Sequence, residues 1–115
     1  MATVLLAEDD TGLLDAMEAL VSSEGYLVIR AVNGVEALRY ARAERPDLVI
    51  TDWMMPVMDG VGLVRALASD ARLSGVPVIF CSALAMPPLG LRYAEFLRKP
   101  FAASRLIQLI RTFVP

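Results

Sequence analysis

The chain has 115 residues, a formal net charge of −2, no histidine and a single cysteine. This length predicts one domain, residues 1–115, with a hydrophobic core that needs no disulfide or metal for support. The lack of histidine excludes Ser-His-Asp catalysis and the usual zinc sites, and the lone Cys81 excludes an internal disulfide. The small net charge gives no electrostatic footprint for direct nucleic-acid binding.

Short apolar runs alternate with segments of helical spacing along the whole chain. In chain order they predict a strand at residues 3–7, a helix at 11–24, a strand at 27–32, a helix at 34–44, a strand at 47–51, a helix at 60–71, a strand at 76–81, a weaker strand at 95–98 and a helix at 103–114. The strand runs are nearly continuously apolar, as in a parallel sheet that is covered on both faces. The sequence therefore predicts an α/β fold with one doubly wound, five-stranded parallel sheet.

The uncharged stretch between Arg72 and Arg92 is long enough to be considered as a membrane span. It contains three prolines and two glycines, which would interrupt such a helix repeatedly. Near the start of the chain, Glu8 follows too few apolar residues for a secretory signal peptide. We therefore expect a cytoplasmic protein without a membrane segment.

Polar side chains follow the predicted strands at their carboxyl ends, where ligands bind in open α/β sheets. Glu8 and Asp9 follow the first strand, Asp52 the third, Ser82 the fourth and Lys99 the fifth. Lys99 is the one lysine among eleven basic residues. Each residue has a structural alternative, such as helix capping, turn formation or ordinary surface exposure. Because five such residues share one edge of the sheet, a functional site is the better interpretation.

The chemistry of this set favours a metal-assisted phosphoryl site. Three carboxylates that lie close together repel one another, so they need a cation or raised pKa values. With no histidine or thiolate set available, an all-oxygen site suits Mg²⁺. A cation beside a carboxylate, with a hydroxyl and an ammonium opposite, is suited to hold a phosphoryl group while the carboxylate attacks it.

These segments resemble the receiver domain of two-component response regulators of the chemotaxis-regulator type over essentially the whole chain. The resemblance is carried by residues 4–10 (VLLAEDD), 31–38 (AVNGVEAL), 47–60 (DLVITDWMMPVMDG) and 99–101 (KPF). It implies a flavodoxin-like strand order of 2-1-3-4-5. It also implies a phosphorelay switch in which Asp52 accepts a phosphoryl group from a phosphohistidine of a sensor histidine kinase or phosphotransfer protein. The phosphorylated surface would be read by an output partner that the sequence does not identify, and the domain would catalyse its own phosphorylation and dephosphorylation.

The resemblance also implies how the metal ion is held. Asp9 and Asp52 would bind Mg²⁺ directly, Glu8 would act through water, and Met54 would supply its backbone carbonyl.

The remaining site residues take their implied roles from the same resemblance. Ser82 and Lys99 would contact the phosphoryl group, and the Lys99–Pro100 peptide bond would be cis. Phe96 stands at the position of the family's aromatic switch residue, so Ser82 and Phe96 would form the switch.

The sequence departs from the family between the fourth and fifth strands. Only sixteen residues separate Ser82 from Lys99, and they include Pro87, Pro88 and Gly90. We therefore expect the helix between these strands, the family's fourth helix, to be shortened or missing. Met54 and Leu84 lie beside the phosphorylation site, and neither can orient an attacking water, so we expect slow hydrolysis of the phosphoaspartate.

Three other functions compete with the phosphoacceptor switch. The first is a pseudo-receiver that acts as a protein-interaction module with vestigial phosphorylation chemistry. The second is an Mg²⁺-dependent phosphohydrolase with an aspartyl nucleophile, which would need a second acid where Met54 stands. The third is a flavodoxin-like cofactor domain, but no glycine- or hydroxyl-rich phosphate loop follows the first strand.

Overall fold

The computed structural model describes residues 1–84 and 90–114. In chain order its elements are β1 (Thr3–Ala7), α1 (Thr11–Ser23), β2 (Leu27–Ala31), α2 (Gly34–Ala43), β3 (Leu48–Asp52), α3 (Gly60–Ser69), β4 (Val78–Ser82), β5 (Glu95–Arg98) and α4 (Ala103–Phe113). Every strand pair is parallel, and the strand order is β2-β1-β3-β4-β5. The predicted fold class and strand order are confirmed.

The sheet separates two hydrophobic clusters because successive side chains of a strand point to opposite faces. In β1, Leu5 belongs to the cluster that packs under α2 and α3, whereas Val4 and Leu6 belong to the cluster that packs under α1 and α4. All five residues of β1, β3 and β4 are buried. This explains why the sequence shows continuous apolar runs instead of alternation.

Three helices start with an acid or amide that caps the first turn. The side chains of Asp10, Asn33 and Asp59 accept hydrogen bonds from the backbone N–H groups of residues 13, 36 and 62, at 3.1, 2.8 and 2.8 Å. Behind α1, Gly25 adopts a positive φ of 91°, as expected for a residue that ends a helix. Because the strands are parallel, the strand-to-helix loops that carry Asp10, Asn33 and Asp59 lie at one edge of the sheet.

Several predicted boundaries differ from the structure by one or two residues. The strand predicted at 76–81 is β4 at Val78–Ser82, since Val76 N–H donates to the carbonyl of Leu73 in the preceding turn. In α4, Leu109 is 4% exposed, whereas Ile107 and Phe113 are only partly buried.

The connection between β4 and β5 is partly described. Residues 83–84 and 90–94 are not helical. The expectation of a shortened or missing helix otherwise concerns residues 85–89, including Pro87 and Pro88, which lie outside the described residues.

Among the described residues, no helix is both long and apolar enough to cross a membrane.

Candidate functional site

Three carboxylates meet at the carboxyl edge of the sheet, as predicted. Glu8 and Asp9 follow β1, and Asp52 is the last residue of the neighbouring strand β3. One carboxylate oxygen of each lies within 4.8 Å of the others. Glu8 and Asp52 are buried, at 3% and 9% exposure, whereas Asp9 is exposed. The group offers only oxygen ligands, and its geometry is compatible with one metal ion.

Lys99 lies against two of these carboxylates. Its Nζ is 2.5 Å from Oε1 of Glu8 and 3.1 Å from Oδ1 of Asp52. Its backbone N–H donates to the carbonyl of Ser82 at 2.8 Å, and the Lys99–Pro100 peptide bond is cis, as expected. Lys99 was predicted at this edge as a contact of a phosphoryl group. Its pairing with Glu8, which is 91 positions away in the chain, was not predicted.

Burial and charge change the proton affinities inside this cluster. Burial raises the pKa of Glu8, and the charge of Asp52 acts in the same direction, while hydrogen bonds from Lys99 and from the Asp10 N–H partly offset them. For Lys99, burial by itself lowers the pKa, but the hydrogen bonds and charges of Glu8 and Asp52 together raise it above its ordinary value. Lys99 is therefore charged at neutral pH.

Two glycines allow the loop after Asp52 to approach its neighbours. A Cβ on Gly60 would lie 2.1 Å from the backbone carbonyl oxygen of Asp52, and the Gly60 N–H donates to the carbonyl of Trp53 at 2.8 Å. A Cβ on Gly34 would lie 2.6 Å from the carbonyl oxygen of Met58, which accepts the Gly34 N–H at 2.8 Å. Sequence reasoning assigned these glycines no role in the site. The sequence signal that could have indicated this close approach is a glycine at the first position of both α2 and α3.

Ser82 lies within the site, at the end of β4. Ser82 is buried, and its Oγ accepts the Leu84 N–H at 3.0 Å. The Leu84 side chain itself is 47% exposed.

Phe96 lies in the middle of β5 and is partly buried. Its ring is nearly parallel to that of Phe80 in β4, with centroids 6.4 Å apart, and Phe80 also contacts Trp53 at 5.5 Å. A chain of aromatic contacts thus joins the predicted switch position to the residue after Asp52.

Met54, the predicted carbonyl ligand, has a 65% exposed side chain.

Cys81 lies beside the site but is inert. It is 2% exposed, and burial raises the pKa of its thiol to about 12.

Comparison with known proteins agrees with this arrangement. The family description "Response regulator receiver domain" matches residues 4–111. The chain is 32% identical to the polar-differentiation response regulator DivK of Brucella anthropi over 97% of this chain and 95% of that protein. Six other curated relatives are longer, and the chain spans from 7% to 56% of their length.

Two solved structures are similar to the chain over nearly all its length. The receiver domain of a signal transduction histidine kinase from Syntrophus aciditrophicus has a TM-score of 0.93 and 29% identity, with 99% of this chain and 90% of that chain covered. The receiver domain of a sensor histidine kinase from Pseudomonas aeruginosa PAO1 has a TM-score of 0.91 and 28% identity, with 97% and 96% covered. The latter was crystallised with a magnesium ion coordinated in its active site cleft.

Proposed function

The chain belongs to the response regulator receiver domain family of two-component signalling, and on that basis we propose that it is a phosphoacceptor switch. In this proposal Asp52 receives a phosphoryl group from a phosphohistidine of a sensor histidine kinase or phosphotransfer protein. The change at Asp52 then alters the outer surface that an output partner reads. The observation that carries the proposal is the buried Asp52 carboxylate, which lies beside two other carboxylates with Lys99 3.1 Å away.

The residues present fit a magnesium ion. Glu8, Asp9 and Asp52 are hard oxygen ligands within 4.8 Å of one another, and Lys99 is the only cation paired with them among the described residues. This excess of negative charge favours a divalent cation. Asp9 and Asp52 would hold the ion directly, Glu8 through water and Met54 by its backbone carbonyl, and the ion would neutralise charge on the phosphoryl oxygens.

The transfer itself uses the Asp52 carboxylate as nucleophile. One Asp52 oxygen forms a bond to phosphorus while the bond from phosphorus to the donor imidazole nitrogen breaks, and the electron pair stays with that nitrogen. Lys99, charged and already 3.1 Å from Asp52, would pair with a phosphoryl oxygen. Glu8 holds the Lys99 ammonium at this position from its other side.

The response to phosphorylation would begin at Ser82. A phosphoryl group adds about −1.5 to −2 charge and three acceptor oxygens. The Ser82 hydroxyl would donate to one of them, which changes the turn that Ser82 now forms with the Leu84 N–H. Phe96, partly buried two residues before the register partner of Ser82 in β5, would respond by changing its packing against Phe80.

Intact-mass spectrometry after incubation with acetyl phosphate and Mg²⁺ tests the proposal directly. We expect one phosphoryl adduct on the wild type, which disappears without Mg²⁺ and in Asp52→Asn. Asp59→Asn is the matched control, because Asp59 lies in the same loop but caps α3, and asparagine caps equally well. This variant should be phosphorylated like the wild type.

A parallel titration with beryllium fluoride, followed by the fluorescence of the single tryptophan Trp53, detects a site whose adduct is hydrolysed quickly. An adduct that persists in Asp52→Asn would contradict the role of Asp52. Absence of both the adduct and the beryllium fluoride response in folded protein would contradict phosphoacceptor chemistry and favour the pseudo-receiver.

A further inference from the structure

A second pocket lies at the opposite end of the sheet from Asp52. It has a volume of about 410 Å³ and is formed by α3, the turn that follows it and the segment that enters β5. This volume falls in the range of small-molecule sites, which is about 300–1,000 Å³. The phosphoacceptor chemistry makes no use of this pocket.

Three apolar side chains lie beneath the pocket and are themselves buried. Leu67 and Leu73 are 2% and 1% exposed, and Val76 is 6% exposed. The ring of Tyr93 forms a partly buried wall and contacts Phe80 at 5.9 Å behind it. Of the lining residues, Tyr93 and the exposed Ala68 would contact the apolar body of a ligand.

Two guanidinium groups flank the pocket. Arg92 lines it and is exposed, and no carboxylate of the described residues lies within ion-pair distance of Arg92. On the other side, Nη2 of Arg45 lies 3.6 Å from the Cβ position of the pocket residue Gly75. Nε of Arg45 donates to the carbonyl of Arg72 at 2.8 Å, which orients the guanidinium without neutralising its charge.

The nearest acids are engaged elsewhere. Asp70 pairs with Arg42 at 3.4 Å, and Oε1 of Glu95 accepts the backbone N–H of Phe96 at 3.2 Å. Asp70 is thus paired with an arginine, whereas Glu95 keeps its charge, and Arg92 and Arg45 supply the positive charge at the rim of the pocket.

We propose that this pocket binds a small organic carboxylate with an aromatic or branched apolar body. The body would lie on Tyr93 and Ala68, and Arg92 would take the carboxylate as a bidentate partner. Binding would not depend on phosphorylation of Asp52, so the site can be tested in the unphosphorylated protein.

The probes are phenylacetate and its neutral isostere phenylacetamide, titrated into the full chain and followed by amide chemical shifts in ¹H–¹⁵N spectra. We expect phenylacetate to shift the amides that line the pocket and to bind about tenfold more tightly than phenylacetamide, because only the carboxylate forms a charge-assisted hydrogen bond. Arg92→Gln should bring the phenylacetate affinity down to that of phenylacetamide and leave phenylacetamide unchanged.

Two further variants separate a pocket from a surface charge effect. Ala68→Trp places a large side chain at an exposed lining position of α3 and should abolish binding of both probes. Arg105→Gln removes an exposed arginine from α4, which does not line the pocket, and should bind both probes like the wild type. Equal affinity for the two probes, binding that survives Ala68→Trp, or no shift of the pocket amides would each overturn the proposal.

Discussion

Replacing Lys99 by methionine removes the ammonium from the carboxylate cluster and keeps a side chain of similar length. In metal-free protein we expect this change to lower the free energy of unfolding by about 3 kcal/mol near pH 7. Glu8 and Asp52 stay buried in the variant but lose the cation that pairs with both.

The size of the loss follows from two competing costs. At an effective dielectric constant of about 20, the Lys99 ammonium attracts Glu8 at 2.5 Å by about 7 kcal/mol and Asp52 at 3.1 Å by about 5 kcal/mol. A buried carboxyl can instead take up a proton. From the ordinary value of 4.5 for Glu8, this costs about 3 kcal/mol near pH 7, at about 1.4 kcal/mol per pH unit. Protonation of Glu8 is cheaper than leaving its charge unpaired, and it also removes the repulsion between Glu8 and Asp52, so it sets the loss.

The same reasoning fixes the sign of the pH dependence. In the variant the folded-state pKa of Glu8 lies further above its unfolded value, so stability is lost as the pH rises towards that folded pKa. The deficit should therefore shrink to about 2 kcal/mol near pH 6. Lys99 of the wild type does not alter this window, because its raised pKa keeps it charged in both conditions.

Urea unfolding followed by far-ultraviolet circular dichroism, with a chelator present, measures both values. Arg111→Met is the control, since Arg111 pairs with Glu24 but is 66% exposed, and its loss should cost at most about 1 kcal/mol at either pH. A Lys99→Met variant as stable as the wild type near pH 7, or a deficit that does not change with pH, would refute the reasoning.

The other predictions concern the metal, the loop, the thiol and the phosphoryl lifetime. Mg²⁺ should raise the melting temperature of the wild type in proportion to site occupancy, and less so in Asp52→Asn, as differential scanning fluorimetry would show. Gly60→Ala should lower the free energy of unfolding by about 2–3 kcal/mol in urea, because its Cβ meets backbone, whereas Gly75→Ala should be nearly neutral. Cys81 should react with an aromatic disulfide reagent only after unfolding, and reaction at the rate of an exposed thiol would contradict its burial. Met54→Asn should speed loss of the phosphoryl group from Asp52 in a time course of intact mass, and an unchanged rate would contradict slow hydrolysis through Met54.

Much of the site could be predicted from local signals. The apolar runs and the polar residues at the strand ends are properties of short segments. In a parallel sheet all carboxyl ends share one edge, so the meeting of Glu8, Asp9 and Asp52 follows from the segment pattern alone. The strand order came from the resemblance to receiver domains, because short segments do not record which strands become neighbours.

Boundaries were less predictable because tertiary contacts set them. The strand predicted to start at residue 76 begins at Val78, since Val76 belongs to a turn closed on Leu73. In α4, Leu109 is buried and Ile107 only partly so, because the face that packs against the sheet includes Leu109. The spacing of apolar residues along a helix defines an apolar stripe. The surface on which the helix packs determines which residues of that stripe are most buried.

The sequence by itself determined the fold class, the edge of the sheet at which the chemistry lies and the carboxylate set that forms it. Only the tertiary structure decided that Lys99 pairs with Glu8 as well as Asp52, and that Gly60 must lack a side chain to let α3 begin against Asp52. The physical reason is the separation along the chain over which each interaction acts. Hydrophobic period and capping act within a few residues, but an ion pair across 91 positions exists only after the sheet has brought its strands together.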